Sequence, residues 1–134
     1  MEVKMEKQAE ALEQSDITTP TIFVKINNTY KDGMTELGLY EATRGFWPVG
    51  VKCEKAQLAM PVYKGIILEV YRIHSWHPVG TFKYATRDAQ PYIGSKRMEF
   101  IGEVDQGERH KYIGKSIKQL PKAKGQNSFF YMNC

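Results

Sequence analysis

Tryptophan side chains occur in two predicted loops of this sequence, and in one of them an arginine lies close by. Arg44-Gly45-Phe46-Trp47-Pro48 places a guanidinium beside an indole, and Ser75-Trp76-His77-Pro78 places a second indole in a predicted turn. An indole in a loop serves either as a cover over the core or as a stacking platform. A nucleic-acid base stacked on such a ring gains about 1–3 kcal/mol. We therefore predict a ligand-binding set that consists of Tyr40, Arg44, Trp47, Trp76 and Tyr84.

Positive charge is unevenly placed along the chain. The formal net charge is +4, and because residues 1–20 sum to −3, the remainder carries +7. Lysines and arginines in the second half either cover a solvated helix face or contact phosphate groups. The second interpretation predicts a nucleic-acid-binding set made of Lys83, Arg87, Arg109, Lys111, Lys115, Lys118, Lys122 and Lys124.

Two short motifs match parts of nucleotide-processing signatures but lack the context of those signatures. The end of a P-loop is matched by Ile113-Gly114-Lys115-Ser116. The motif requires four residues between its two glycines, whereas six residues separate Gly107 from Gly114. Tyr92-Ile93-Gly94 and Tyr112-Ile113-Gly114 match half of the GIY-YIG nuclease signature, but no Gly-Ile-Tyr precedes either one. The motifs therefore predict neither nucleotide hydrolysis nor nuclease activity.

Metal binding and nucleophilic catalysis have little support in the residue spacing. His74 and His77 are three residues apart, but no cysteine pair or carboxylate cluster stands near them in the sequence. Ser116 and Cys53 have no recognisable base and orienting acid, although a triad assembled from distant residues stays open. We expect a binding protein with no metal or other cofactor, and not an enzyme.

The cysteine content predicts a cytoplasmic protein. Cys53 and Cys134 form no spacing motif, which is typical of a reducing compartment. No apolar stretch has the length of a signal peptide or of a transmembrane span. We therefore expect no membrane association.

The elements that position these residues predict one α+β domain. Residues 1–20 read as a flexible acidic tail, and residues 21–134, by their length, as a single domain. Thr35 is positioned to cap a helix that ends near Arg44 before Gly45. Asp105, with Glu108 three residues later, predicts a second helix that runs to about residue 120.

Runs of β-branched and aromatic residues predict the strands. They cover residues 21–27, 60–73, 81–87, 96–104 and 128–134, with a tight hairpin turn at Lys64-Gly65 and a turn over 74–80. The pattern has five to six strands and two to three short helices, without βαβ alternation. It predicts a small mixed or antiparallel β-barrel with helices packed outside.

Residues 21–134 resemble an uncharacterised domain family of bacteria and phages. The resemblance rests on Phe23-Val24-Lys25-Ile26-Asn27, Leu39-Tyr40-Glu41-Ala42-Thr43-Arg44-Gly45 with Trp47, Val62-Tyr63-Lys64-Gly65, Val70-Tyr71-x-Ile73-x-x-Trp76, Tyr112-Ile113-Gly114-Lys115-Ser116 and Tyr131-x-Asn133-Cys134. In some proteins that domain is attached to a restriction-type nuclease. Its strand–Gly–strand core is also similar to the PUA-like superfamily, which includes the ASCH and EVE domains, small barrels that bind RNA or read modified bases. The resemblance implies a PUA-like barrel whose pocket contains Arg44, Trp47 and Trp76, supported by Tyr40.

Three functions follow from these observations. The leading hypothesis is a nucleic-acid-binding module that reads a modified or flipped base by stacking on Trp47 or Trp76, while Lys and Arg hold phosphates. The second is a phage or defence-associated protein that binds a host protein through its acidic tail and exposed aromatic residues. The third is a small domain that binds a nucleotide ligand near Arg44. DNA, RNA and protein all remain open as partners.

Overall fold

The chain folds as an α+β protein built on a six-stranded mixed sheet, and a computed structural model describes residues 9–134. The elements are β1 (Thr21–Lys25), α1 (Glu36–Arg44), β2 (Leu58–Tyr63), β3 (Ile66–Ile67), β4 (Tyr71–Pro78), β5 (Met98–Val104), α2 (Arg109–Tyr112) and β6 (Phe129–Met132), with 3-10 turns at Gln14–Asp16, Val51–Lys55 and Gln90–Tyr92. The strand order is β5-β4-β2-β1-β6, and β3 pairs with β2. The predicted α+β class is confirmed; of the predicted mixed or antiparallel sheet and two to three short helices, the described residues form a mixed sheet and two helices.

The centre of the sheet is a parallel unit formed by β1, α1 and β2. The β-branched and aromatic side chains of β1 suit a strand that is buried on both faces. Ile22 and Val24 enter the core on one side of the sheet and Phe23 enters the core on the other. This βαβ crossover was not predicted, because it contains one short helix that sits between two irregular segments.

Local signals placed α1 and the hairpin correctly. The Thr35 hydroxyl accepts a hydrogen bond from the Gly38 N–H at 3.0 Å, so this residue caps α1 as predicted. Lys64 and Gly65 have φ angles of 49° and 81°. Two positive φ angles in a two-residue connection match the twist of antiparallel strands, and the predicted turn between β2 and β3 is confirmed.

The sheet does not close into the predicted barrel. Closure requires the two edge strands to pair, whereas β5 and β6 end the strand order on opposite sides. β4 also continues through the predicted turn at 74–80 and pairs with β5 as far as Pro78. The predicted strand over 81–87 is instead part of a long irregular loop.

The packed part of the chain begins before Thr21, so the predicted boundary is wrong for residues 10–20. Leu12 and Ile17 are buried in the core. The Leu12 N–H donates to the Ser116 carbonyl at 2.9 Å, and the Ser116 N–H donates to the Glu10 carbonyl at 2.7 Å. Two isolated apolar residues in an acidic segment gave no periodic signal of this packing. The rest of the predicted tail, residues 1–8, lies outside the described residues.

The second predicted helix is only one turn long. It ends at Tyr112, and Gly114 follows with a φ of 84°. The Gly114 N–H donates to the Ile67 carbonyl at 2.8 Å, and the Ile67 N–H donates to the Lys115 carbonyl at 3.0 Å. Residues 113–117 therefore run beside β3, since backbone pairing with distant strands replaces the helical hydrogen bonds that the apolar spacing predicted.

Candidate functional site

A loop formed by residues 79–97 is fixed over the C-terminal end of α1 by buried charged side chains. Arg44 Nη2 donates to the Lys83 carbonyl at 3.0 Å, and the guanidinium lies 3.8 Å from the centre of the Tyr84 ring. Glu99 is fully buried and accepts a hydrogen bond from the Phe82 N–H at 2.9 Å. Arg44 is itself only 5 % exposed. This arginine is therefore occupied in holding the loop.

Arg44 and Glu99 form a buried ion pair whose closest N–O distance is 3.7 Å. Arg44 Nη1, Glu99 Oε1 and the Tyr84 hydroxyl have no hydrogen-bond partner within the described residues. Burial raises the pKa of Tyr84 far above its ordinary value, so the phenol stays neutral. Arg44, Glu99 and Tyr84 therefore form an enclosed cluster beneath the loop, which we call the frame.

Glu41 fixes the same loop from α1. Its carboxylate accepts hydrogen bonds from the backbone N–H groups of Ala85 and Thr86 at 2.8 and 2.7 Å, and from the Thr86 hydroxyl. Burial alone would raise the pKa of Glu41, but the three hydrogen bonds together with the Arg44 charge lower it below its ordinary value. Glu41 is therefore ionised at neutral pH.

A polar cleft of about 570 Å³ lies beside this frame. Three cations and four amide side chains line it, and no carboxylate from residues 9–134 does. Its lining consists of Lys25, Asn27, Asn28, Thr29, Gly45, Phe46, Trp47, Arg87, Arg97, Gly125, Gln126, Asn127 and Ser128. A cleft with this composition attracts anions, because nothing in its described wall offsets the positive charge.

The two arginines of the cleft are held by backbone carbonyls and aromatic rings. Arg87 Nη1 donates to the carbonyls of Glu41 and Gly45, and its guanidinium lies 4.0 Å from the centre of the Phe46 ring. Arg97 Nη1 donates to the Phe46 carbonyl at 3.0 Å. Burial lowers the pKa of Arg87 from its ordinary value, but a guanidinium remains charged at neutral pH. Each arginine keeps further N–H groups for a ligand.

The third cation, Lys25, lies where the cleft adjoins a second concavity, which in turn adjoins a third. Its Nζ donates to the carbonyls of Ala123 and Gly125 at 2.9 and 2.8 Å. Lys25 and Asn27 also line a concavity of about 260 Å³, which shares Lys118 and Lys124 with another of about 480 Å³. No carboxylate of the described residues lines either one. We call the cations of these three concavities the basic tract: Lys25, Arg87, Arg97, Lys118, Lys122 and Lys124.

The sheet topology explains why distant segments meet in the cleft. β1 and β6 are antiparallel, with Val24 opposite Phe129. The end of β1 therefore lies next to the start of β6, and residues 25–29 meet residues 125–128. Sequence reasoning missed Lys25, Arg97 and the amide side chains. The paired amides Asn27-Asn28 and Gln126-Asn127 were visible, but only the strand pairing brings them together.

The predicted ligand-binding set does not converge on one open site. Trp47 lines the cleft but is only 8 % exposed, and its Nε1 donates to the Thr43 carbonyl at 2.7 Å, so the indole is largely enclosed. Trp76 lies on β4, packs edge-on against Phe100 and lines a separate cavity. The Tyr40 hydroxyl accepts a hydrogen bond from the Gly102 N–H at 2.9 Å, and Tyr40 lines another cavity.

The predicted nucleic-acid-binding set divides into two groups. Arg109, Lys111 and Lys115 form ion pairs with Glu69, Glu108 and Glu10. Arg87, Lys118, Lys122 and Lys124 belong to the basic tract. Lys83 is exposed on the 79–97 loop and lines none of the cavities described here. The structure therefore brings together Lys118, Lys122 and Lys124. Arg109, Lys111 and Lys115 lie outside the basic tract.

A second cavity, of about 320 Å³, has the opposite charge. Glu36, Glu69 and Glu103 line it together with Arg109, whose guanidinium makes two hydrogen bonds of 3.0 Å to the Glu69 carboxylate. These hydrogen bonds raise the pKa of Arg109. One cation faces three carboxylates, so this acidic cavity does not suit a phosphate group.

The chain matches no protein-family model, no curated protein and no solved structure. The resemblance to PUA-like domains therefore stays a prediction. Within residues 9–134, no group of three or more His, Cys, Asp and Glu side chains is placed to hold a metal ion. No helix in the same residues combines the length and the apolar character that a membrane crossing needs.

Proposed function

We propose that this protein binds nucleic acid, and that it does so by holding phosphate groups along the basic tract. One observation carries the proposal: six cations line three adjoining concavities whose described walls contain no carboxylate. Phosphate contacts of lysine and arginine provide most of the affinity in such complexes, because they release condensed counterions.

The way in which the two arginines are held supports phosphate binding. Arg87 and Arg97 each use one nitrogen on backbone carbonyls of residues 41–46 and pack against aromatic rings. A guanidinium that is already oriented loses little rotamer freedom when it binds, and its planar fork matches two phosphate oxygens. These arginines can therefore contact a phosphate backbone without first leaving an ion pair.

The proposal changes the role of the tryptophans. Both indoles pack against the protein, so the attraction comes from cations and the polar contacts from amides. We keep nucleic acid as the ligand of the leading hypothesis. The proposed binding surface changes from the two tryptophans to the basic tract.

Fluorescence anisotropy with labelled oligomers of about 12 nucleotides tests the proposal. We expect binding that weakens steeply between about 50 and 200 mM salt. Replacing Lys118, Lys122 and Lys124 with Gln should lower the salt slope by about 2, since each phosphate contact of a single strand contributes about 0.7. At about 0.1 M salt this corresponds to an affinity loss of about 100-fold.

The matched control replaces Lys52, Lys55 and Lys111 with Gln. These lysines are exposed, lie outside the basic tract, and their removal changes the net charge equally. Equal losses in both triple variants would contradict the proposal, as would an absence of salt-dependent binding. Binding of a mononucleotide as tight as that of the oligomer would contradict it too and would favour a small-ligand protein.

A further inference from the structure

We infer that the nucleic acid in the basic tract is a single strand rather than a duplex. The inference rests on the proposed function and specifies its substrate class. Two features of the tract carry it: the cations line concave walls, and uncommitted amide side chains lie among them.

The shape of the tract does not suit a duplex. A duplex presents its phosphates on a convex cylinder, and proteins commonly read it by inserting a helix or a two-stranded ribbon into a groove. The residues that line the three concavities come from strand ends and loops, and none comes from α1 or α2. The tract offers a channel in which one strand can lie, with cations along its length.

The amide side chains of the cleft favour unpaired bases. Asn28, Gln126 and Asn127 are exposed, and their side chains make no hydrogen bond within the described residues. Asn27 differs, because its Oδ1 accepts a hydrogen bond from the Lys64 N–H at 2.8 Å. An amide presents a donor beside an acceptor, a pattern that complements the Watson–Crick edge of a base. That edge is accessible only when the base is unpaired.

The three concavities adjoin one another, and Gly125 lines both the 570 Å³ cleft and the 480 Å³ concavity, which fits one continuous strand across them. Lys25 and Asn27 belong to both the 570 Å³ cleft and the 260 Å³ concavity. Lys118 and Lys124 belong to both the 260 Å³ and the 480 Å³ concavities. A strand that crosses them therefore meets the uncommitted amides in the cleft and the lysine-rich loop in the other two concavities. Cations line all three concavities, whereas Asn28, Gln126 and Asn127 line only the cleft.

The experiment compares a single strand with a blunt duplex of the same sequence and length, in RNA and in DNA, at one salt concentration. We expect at least one of the single strands to bind about tenfold more tightly than its duplex. Replacing Asn28, Gln126 and Asn127 with Ala should lower the single-strand affinity about tenfold, leave the salt slope unchanged and leave duplex binding unaffected.

The control variant replaces Gln57, Gln90 and Gln106 with Ala, three exposed amides outside the tract. It should bind as the wild type does, and both variants should keep the wild-type unfolding temperature. Duplexes bound as tightly as the single strands, or an amide variant equal to its control, would overturn the inference and leave the proposed function intact. Salt-independent or absent binding of every probe would overturn both.

Discussion

The two ends of α1 face cavities of opposite charge. Glu36 near its N-terminus lines the acidic cavity, whereas Gly45 and Phe46 just after its C-terminus line the polar cleft. Both arrangements complement the helix dipole, which places partial positive charge at the first end and partial negative charge at the second. Both cavities also contain arginine, so the presence of a cation does not distinguish them.

The partner of each arginine does distinguish the two cavities. Arg109 donates two hydrogen bonds to the Glu69 carboxylate, and the pKa of its guanidinium is raised. Arg87 has carbonyl and aromatic partners, and burial lowers its pKa. The charge of Arg109 is therefore neutralised by Glu69, whereas the charge of Arg87 remains available to an anionic ligand. Counting lysines and arginines along the sequence therefore overestimates the surface near α2 and underestimates the cleft.

The largest effect should come from breaking the buried ion pair on the cleft side. Arg44→Met leaves Glu99 charged in a fully buried site. We expect a loss of about 3–5 kcal/mol in the free energy of unfolding, measured by urea denaturation. Arg72→Met, which removes an arginine 46 % exposed at its side chain and paired with Asp105, should cost less than about 1 kcal/mol. Similar losses in the two variants would contradict the view that the Arg44–Glu99 pair is buried and the Arg72–Asp105 pair is solvated.

A smaller loss should follow from crowding the same frame. In Gly45→Ala the new Cβ would lie 2.3 Å from the Tyr84 hydroxyl and 3.5 Å from Glu99 Cβ. Tyr84 must then shift from its place against Arg44, which we expect to cost about 1–3 kcal/mol in urea denaturation. Gly50→Ala is the matched control, because its Cβ meets nothing within 4 Å. A stable Gly45→Ala protein would show that the loop is not fixed at this point.

The smallest effect concerns the pH dependence of stability. The folded-state pKa of Glu41 is lowered, so the carboxylate stabilises the fold above its unfolded pKa of about 4.3 and loses that contribution as the pH falls through the folded pKa. Unfolding curves at about pH 7 and pH 3 should show less acid destabilisation for Glu41→Gln than for the wild type. Equal acid destabilisation in both proteins would contradict the assignment of this carboxylate.

Short-range chemistry made much of the fold predictable. The Thr35 cap, the Lys64-Gly65 turn and the β-branched run of β1 depend on residues within a few positions of one another. The helix expected to reach residue 120 failed because Ser116 and Ile67 take part in backbone hydrogen bonds between distant segments. Such competition is invisible in a periodic pattern.

The candidate site was less predictable for the same reason. Lys25 and Gln126 are about 100 positions apart, and they line one cleft only because β1 and β6 pair. Arg44 and Trp47 carried the chemistry expected of a binding loop, yet both side chains complete the core instead. A polar or aromatic residue next to a helix end does not reveal which side it faces.

Chemical-shift mapping by NMR tests the central claim most directly. A single-stranded oligomer is titrated into the isotopically labelled protein while backbone amide signals are followed. We predict that the shifts concentrate on residues 25–29, 87, 97 and 118–128, which form the cleft and the basic tract. Shifts concentrated instead on residues 36–40, 69–71 and 102–109, around the acidic cavity, would contradict the account.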